Sequence, residues 1–324
     1  MTKWYEMQVV DTLFFRGTTP MEAGLANAVS LFPPPVSVLQ GAFWTAYCRN
    51  KNQAFTVGLK EGKIPLEIKG ILVKKKIKKV DKGPHEERLY VPAPATWYYD
   101  SEKKVKSSKD FEGKCLCIAE TKKESFDTFG IQSSAGELVF VAPQHEAQSL
   151  SNAWIAVDFI KSPQEQFGAY DVLLEKDVLS RESRTGVGLT DGRLAKDGQL
   201  YSSTHIRLLD DVTLVVALDS EHDVGSGKLQ LGGEQRIVSY KELEDMSTFT
   251  EQGAEQFLSL VPVEATEENL KRLVASQKLV VTAGWDLAKG FHKPTTSWIP
   301  AGAVFNENID DNCMPMGMQE KNKR

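Results

Sequence analysis

RESRTGVGLTDGRLAKDGQLYSSTHIRLLDDVTLVVALD, residues 181–219, sets the fold class. Its second half divides into two predicted strands, 200–209 and 211–219, rich in Leu, Val, Thr and Ile and joined tightly at Asp210 and Asp211. Downstream, LQLGGEQRIVSY at 229–240 reads as a glycine-rich hairpin. TEENLKRLVAS at 266–276 opens with a capping Thr and two acids in its first turn, and it places Leu270, Leu273 and Val274 on one helical face. KLVVT at 278–282 predicts a strand, and GWDLAKGFHKPTTSWIPAGAVF at 284–305 a loop and then another strand. Upstream, 7–15 predicts a strand that delivers Arg16 to its end. In LFPPPVSVLQGAFWTAYCRN, 31–50, three prolines stiffen the approach to a helix that Ser37 can cap and that runs to about Arg49. PHEERLYVPAPATWYY at 84–99 suggests a strand and a packed loop. CLCIA at 115–119 predicts a strand with Cys115 and Cys117 in the core. Strands interspersed with single helices in each half predict an α+β fold, helices covering one face of an antiparallel sheet, with domains 1–150 and 151–324.

Composition narrows the function classes. Apolar residues are 41% and charged residues 26% of the 324, an ordinary soluble composition that excludes collagen, coiled-coil and wholly disordered chains. No run approaches the ~18 apolar residues of a membrane span, and Glu6 and Gln8 interrupt what a secretory signal would keep apolar. A cytoplasmic protein with four free cysteines (Cys48, Cys115, Cys117, Cys313) is expected. The net charge of −5 argues against nucleic-acid binding by bulk charge, so any basic surface must be local or completed by a partner. One basic segment stands out: nine lysines lie between Lys60 and Lys82 against three acids. Its centre, ILVKKKIKKV at 71–80, reads as a hairpin arm whose lysines face water, as an edge protected from aggregation, or face phosphate.

Catalytic signatures fail one by one. GVGLTDG at 186–192 is one residue too long for the dinucleotide fingerprint. In the P-loop-like GSGK at 225–228, His222 occupies the leading glycine position and Leu229 the place of the magnesium-binding hydroxyl. There is no G-x-S-x-G elbow, H-E-x-x-H helix or paired His/Cys spacing, so neither a cofactor nor a metal is expected. A metal-independent ribonuclease needs only a positioned acid and base, for which His205 with Tyr201 or Lys196 would serve.

Four blocks in order along the chain resemble one family: DTLFFRGTTPM at 11–21 with FPPPVSVLQGAFWTAY at 32–47, RLYVPAPATW at 88–97, ESRTGVGLTDGRLAKDGQLYSSTHIRL at 182–208 with LGGEQR at 231–236, and GWDLAKGFHKPTTSWIPAGAVF at 284–305. They are similar to the Cmr-complex subunit three family, RAMP proteins of type III-B CRISPR effectors. The chain departs from the family near its end, where IDDNCMPMGMQEKNKR holds one glycine, Gly317, in place of a glycine-rich stretch. The resemblance implies two ferredoxin-like, RNA-recognition-type folds and a non-catalytic subunit that holds the 5′ tag of the CRISPR RNA. Its implied partners are the large polymerase-like subunit and a backbone RAMP subunit.

A single-stranded tag is recognised by guanidinium and aromatic stacking, base-edge hydrogen bonds and close backbone amides. The expected contacts are therefore Arg16, Arg49, Arg184, Arg193, Arg236 and Lys289, Ser37 and Gln40 at the helix start, and Gly186, Gly188, Gly232 and Gly233. Glu182 and Glu234 are expected to hold Arg184 or Arg236 in place. Trp285 could stack a base or belong to the core, and Arg207 reads equally as a structural ion-pair partner.

Overall fold

The computed structural model describes residues 2–15, 17, 27–56, 63–77, 86–101, 105–123, 138–141, 146–190, 192, 194–244, 254–286 and 291–317. These residues are mostly strand, with few helices. The chain divides into two units, each assembled from two separate segments: Met1–Ile68 with Leu179–Leu243, and Lys69–Val178 with Glu244–Arg324. Residue 150 falls inside the first segment of the second unit.

The first unit contains β1 (Thr2–Val9), β2 (Asn27–Val29), α1 (Val36–Asn50), β3 (Leu179–Leu189), β4 (Ala195–Leu208), β5 (Val212–Ser220), β6 (Gly227–Gln230) and β7 (Ile237–Leu243). β1 pairs antiparallel with β5 on one side and β7 on the other, and β6 adds outside β7. α1 buries Leu39, Ala42, Phe43, Trp44, Ala46 and Cys48. Phe43 packs between Tyr5 of β1 and Tyr240 of β7, with ring centroids 5.4 Å from each. This is the predicted helix-on-sheet arrangement, driven by apolar area removed from water. A second sheet orders β3–β4–β2, with β3 and β4 antiparallel and β2 parallel to β4 through Ser202 to Thr204.

Several local expectations are corrected. The first strand ends at Val9, not at 15, because the Asp11 carboxylate accepts the backbone N–H of Thr12 and turns the chain. β4 begins at Ala195, five residues earlier than predicted, since β3 gives its polar half a partner. Ser37 does not cap α1: the helix starts at Val36 after Pro35, whose φ of −59° is already set and whose carbonyl accepts from Val38 and Leu39. The predicted helix at 266–276 stops at Arg272, and Leu273–Ala275 pairs as a strand with Val304–Phe305. Thr266 does cap it, accepting from the Asn269 amide. Here a strand partner overrides helical periodicity.

The second unit carries antiparallel strands Trp154–Ala156 and Val172–Leu173 beside Glu86–Pro92, which in turn pairs with Val73 to Ile77. Trp97, Phe159, Phe167 and Phe111 form a linked aromatic core. A further core joins Val263, Ile299, Ala303, Phe305, Ile309 and Cys313, with Leu270 and Leu273 packed on it. Cys115 is exposed and Cys117 partly so, correcting their core assignment, because Leu116 takes the inward position of the short Leu116–Ile118 strand. The lysines of the basic segment do not all face water: Lys75 is buried and donates to the Asp177 carbonyl, while Lys74 and Lys76 pair with Glu87. Lys78, Lys79 and Lys82 lie outside the described residues. Among the described residues no helix is long and apolar enough to cross a membrane, and no group of His, Cys, Asp and Glu could hold a metal ion.

Candidate nucleic-acid interface

The alternation of β-strands assembles one polar face in the first unit. Directly opposed residues of an antiparallel pair share a side of the sheet, and β3 and β4 oppose Glu182 to His205, Arg184 to Ser203 and Ser180 to Arg207. Glu182, Arg184, Ser203, His205 and Arg207 therefore stand together. Two other segments reach this group. Asp11 and Thr12 arrive from the turn after β1, and Glu234 and Arg236 from the turn at 232–236 before β7.

Three guanidiniums and three carboxylates alternate around a closed ring. Asp11 accepts from Arg236, and Arg236 donates to Glu234 at 2.6 Å. Glu234 also faces Arg184 at 3.4 Å, and Arg184 lies 3.9 Å from Glu182. Glu182 takes the guanidinium of Arg207, which closes the ring at 3.6 Å from Asp11. Arg184 has a second anchor in the Thr12 hydroxyl, 2.7 Å away. All six members are part-exposed, so each pair alone is worth little, but a connected network fixes side-chain directions that single surface pairs leave free.

His205 lies against this ring at 0% exposure. Its ring stacks on Phe14, centroids 4.9 Å apart, with Nδ1 3.5 Å from the Thr12 hydroxyl, Nε2 3.2 Å from the Ser203 hydroxyl and 3.7 Å from Glu234. Burial first, and then the Arg184 charge, hold its pKa below the ordinary histidine value. The backbone amide of Thr12, and then Arg236, lower the Asp11 carboxyl, and the Arg207 hydrogen bond lowers Glu182. The group is thus a neutral imidazole beside a charge-balanced ring. Neither Tyr201 nor Lys196 is among the hydrogen-bond partners described for His205.

Of the twelve predicted contacts, Arg184 and Arg236 meet in this ring, with Gly232 and Gly233 in the turn beside it. Gly232 holds φ +75°, and a Cβ there would come within 2.6 Å of the Phe14 carbonyl. Gly233 donates its N–H to the same oxygen. The close approach these glycines permit is thus made by the chain's own backbone. Gly186 lies under the Tyr201 ring, and Gly188 falls at a register shift in β3. Ser37, Gln40 and Arg49 lie along α1, where Gln40 donates to the Leu66 carbonyl and Arg49 to that of Lys228. None of the described bonds joins these three to the ring. Arg16, Arg193, Lys289 and the side chain of Trp285 lie outside what is described. Sequence reading missed Asp11 and Thr12, whereas the ion-pair reading of Arg207 agrees with its pairing to Glu182 and Asp11. The strand alternation that joins Arg207 to Glu182 was available, whereas the turn that brings Asp11 back carried no such signal.

A family model described as CRISPR-associated protein (Cas_Cmr3) matches residues 5–259 of the chain. The chain is 26% identical over 164 residues to "CRISPR system CMR subunit Cmr3" of Saccharolobus solfataricus, a match covering 46% of this chain and 52%, about half, of that relative's length. Among solved structures it is similar to a chain of type III-B Cmr-beta bound to cognate target RNA and AMPPnP, with TM-score 0.54 and 15% identity over 95% of this chain and 90% of that one. A second chain, from type III-B Cmr-beta bound to cognate target RNA, gives TM-score 0.53 and 16% identity over 94% and 86%. At these identities the likeness is one of fold.

Proposed function

Since the chain belongs to the CRISPR-associated Cas_Cmr3 family, we propose that it is a non-catalytic, RNA-binding subunit of a type III-B effector complex that holds the 5′ tag of the CRISPR RNA. In this reading the two units are elaborated ferredoxin-like folds, and the large polymerase-like subunit and a backbone RAMP subunit complete the basic groove that an overall charge of −5 leaves unfinished. The observation that carries the proposal is the convergence of Arg184, Arg207 and Arg236 on one face, each guanidinium held by a partner of its own: the Thr12 hydroxyl for Arg184, Glu182 for Arg207 and Asp11 for Arg236. Oriented guanidiniums bind phosphate bidentately and stack on unpaired bases. Arg16, Arg193 and Lys289 are proposed as further RNA contacts.

The test is tag-RNA binding by the chain alone and with the large subunit. The wild-type chain should bind weakly alone, with steep salt dependence, and tightly in the assembly. Replacing Arg184 and Arg236 together by Ala should weaken binding about tenfold or more and flatten the log–log salt slope by about one to one and a half. Unchanged affinity and unchanged tag crosslinking in that double variant would overturn the assignment.

A further inference from the structure

We propose that Glu234 is a resident surrogate for phosphate: its carboxylate fills the seat between Arg184 and Arg236, and RNA enters by exchanging a backbone phosphodiester for it. The inference rests on the reading of these arginines as RNA contacts and adds how the seat is kept and opened.

Four observations converge on Glu234. One of its oxygens, Oε2, faces both guanidiniums, at 3.4 Å from Arg184 and 2.6 Å from Arg236, while Oε1 lies 3.7 Å from the buried imidazole of His205. A phosphodiester offers guanidiniums a similar pair of anionic oxygens. Glu234 also differs in its tether from the other two acids. Asp11 additionally holds the Thr12 backbone and Glu182 grips one guanidinium, that of Arg207, through both oxygens, whereas the hydrogen bonds of the Glu234 carboxylate are shared by two guanidiniums at a single oxygen. Its backbone stands at φ +58° and that of Gln235 at +53°, conformations costly for residues with a side chain, in an exposed turn.

The arginines, in contrast, keep their places without it. Arg184 remains bonded to Thr12 and Arg236 to Asp11. Arg236 also has a buried Nε–H with no acceptor. With Glu234 in place the ring is neutral, three charges against three. Withdrawing it leaves one positive charge, which one phosphate restores to balance. RNA that cannot displace the carboxylate meets no net attraction at this seat.

The experiment compares Kd for a short single-stranded RNA between the full-length chain and its Glu234→Gln variant, which keeps the side-chain shape and removes the charge. Binding should tighten about fivefold, whereas Glu221→Gln, the same charge change elsewhere on the unit, should alter Kd less than about twofold. In the Arg184→Ala, Arg236→Ala background the gain from Glu234→Gln should vanish. Weakened or unchanged binding in Glu234→Gln, equal tightening in Glu221→Gln, or a gain that survives loss of both arginines would overturn the proposal. Should Glu234→Gln lower the melting temperature, Glu234→Ala is read by the same criteria alongside it. If the arginine pair proves dispensable for RNA binding, the function proposed above falls as well. If it proves essential while Glu234→Gln gives no gain, only the surrogate falls.

Discussion

His205 shows how one residue's setting overrides its type. A histidine in a strand near Arg and Tyr invites an acid–base reading, yet here the imidazole is fully buried, stacked on Phe14 and depressed in pKa. The depression makes stability depend on pH with a definite sign. Below the ordinary histidine value of about 6.5 the unfolded chain takes up a proton that the folded chain refuses, so stability falls as pH drops through that value and toward the folded pKa. Asp11 and Glu182, lowered from their ordinary carboxyl values, add losses only when pH falls further, through their folded pKa values. Thermal melts of the wild type should therefore decline as pH falls below about 6.5, and His205→Gln should flatten that stretch while leaving the steeper acid limb. An unchanged slope in the variant would place the titration elsewhere. Residue roles were legible in sequence where neighbours are local: Glu234 pairs with Arg236 two positions away. They were not legible where a turn sets them, as with Asp11 pairing with Arg236 across 225 positions.

Elements follow periodicity until a partner intervenes. α1 and β5 were readable because apolar residues recur at the helical spacing in one and run unbroken from Leu214 to Leu218 in the other. β3 was not, since RESRTG has a polar residue at nearly every position and becomes a strand by pairing along its length with β4. The two glycine sites should respond differently to alanine. At Gly232, φ +75° and a 2.6 Å approach to a backbone oxygen leave no escape, so Gly232→Ala should cost about 2–4 kcal/mol in chemical unfolding. At Gly186 the obstacle is the Tyr201 side chain, half in solvent, which can swing away. Gly186→Ala should cost less, and combining it with Tyr201→Ala should remove most of the penalty, a coupling that a double-mutant cycle measures.

At the scale of the whole chain, the first unit cannot be cut from one end. β1 has β5 and β7 as its two neighbours, and both lie beyond residue 211. A fragment ending at residue 150 should accordingly show no cooperative melt of the first unit by circular dichroism, while adding residues 179–243 should restore it. A cooperative transition of the short fragment matching the full chain would contradict the interleaved assembly. Sequence reading placed strands and helices in each half but not this interleaving, because which strands become neighbours is set by long-range pairing that local patterns do not encode. The interleaving also sets a timetable at the ribosome. With translation at roughly 5–20 residues per second, the stretch from Ile68 to Leu243 takes on the order of ten to thirty-five seconds to emerge. For that interval the nascent amino terminus, with Tyr5, Met7 and Phe43 still lacking Tyr240, must be shielded from misassociation by a holding factor or by its own transient collapse.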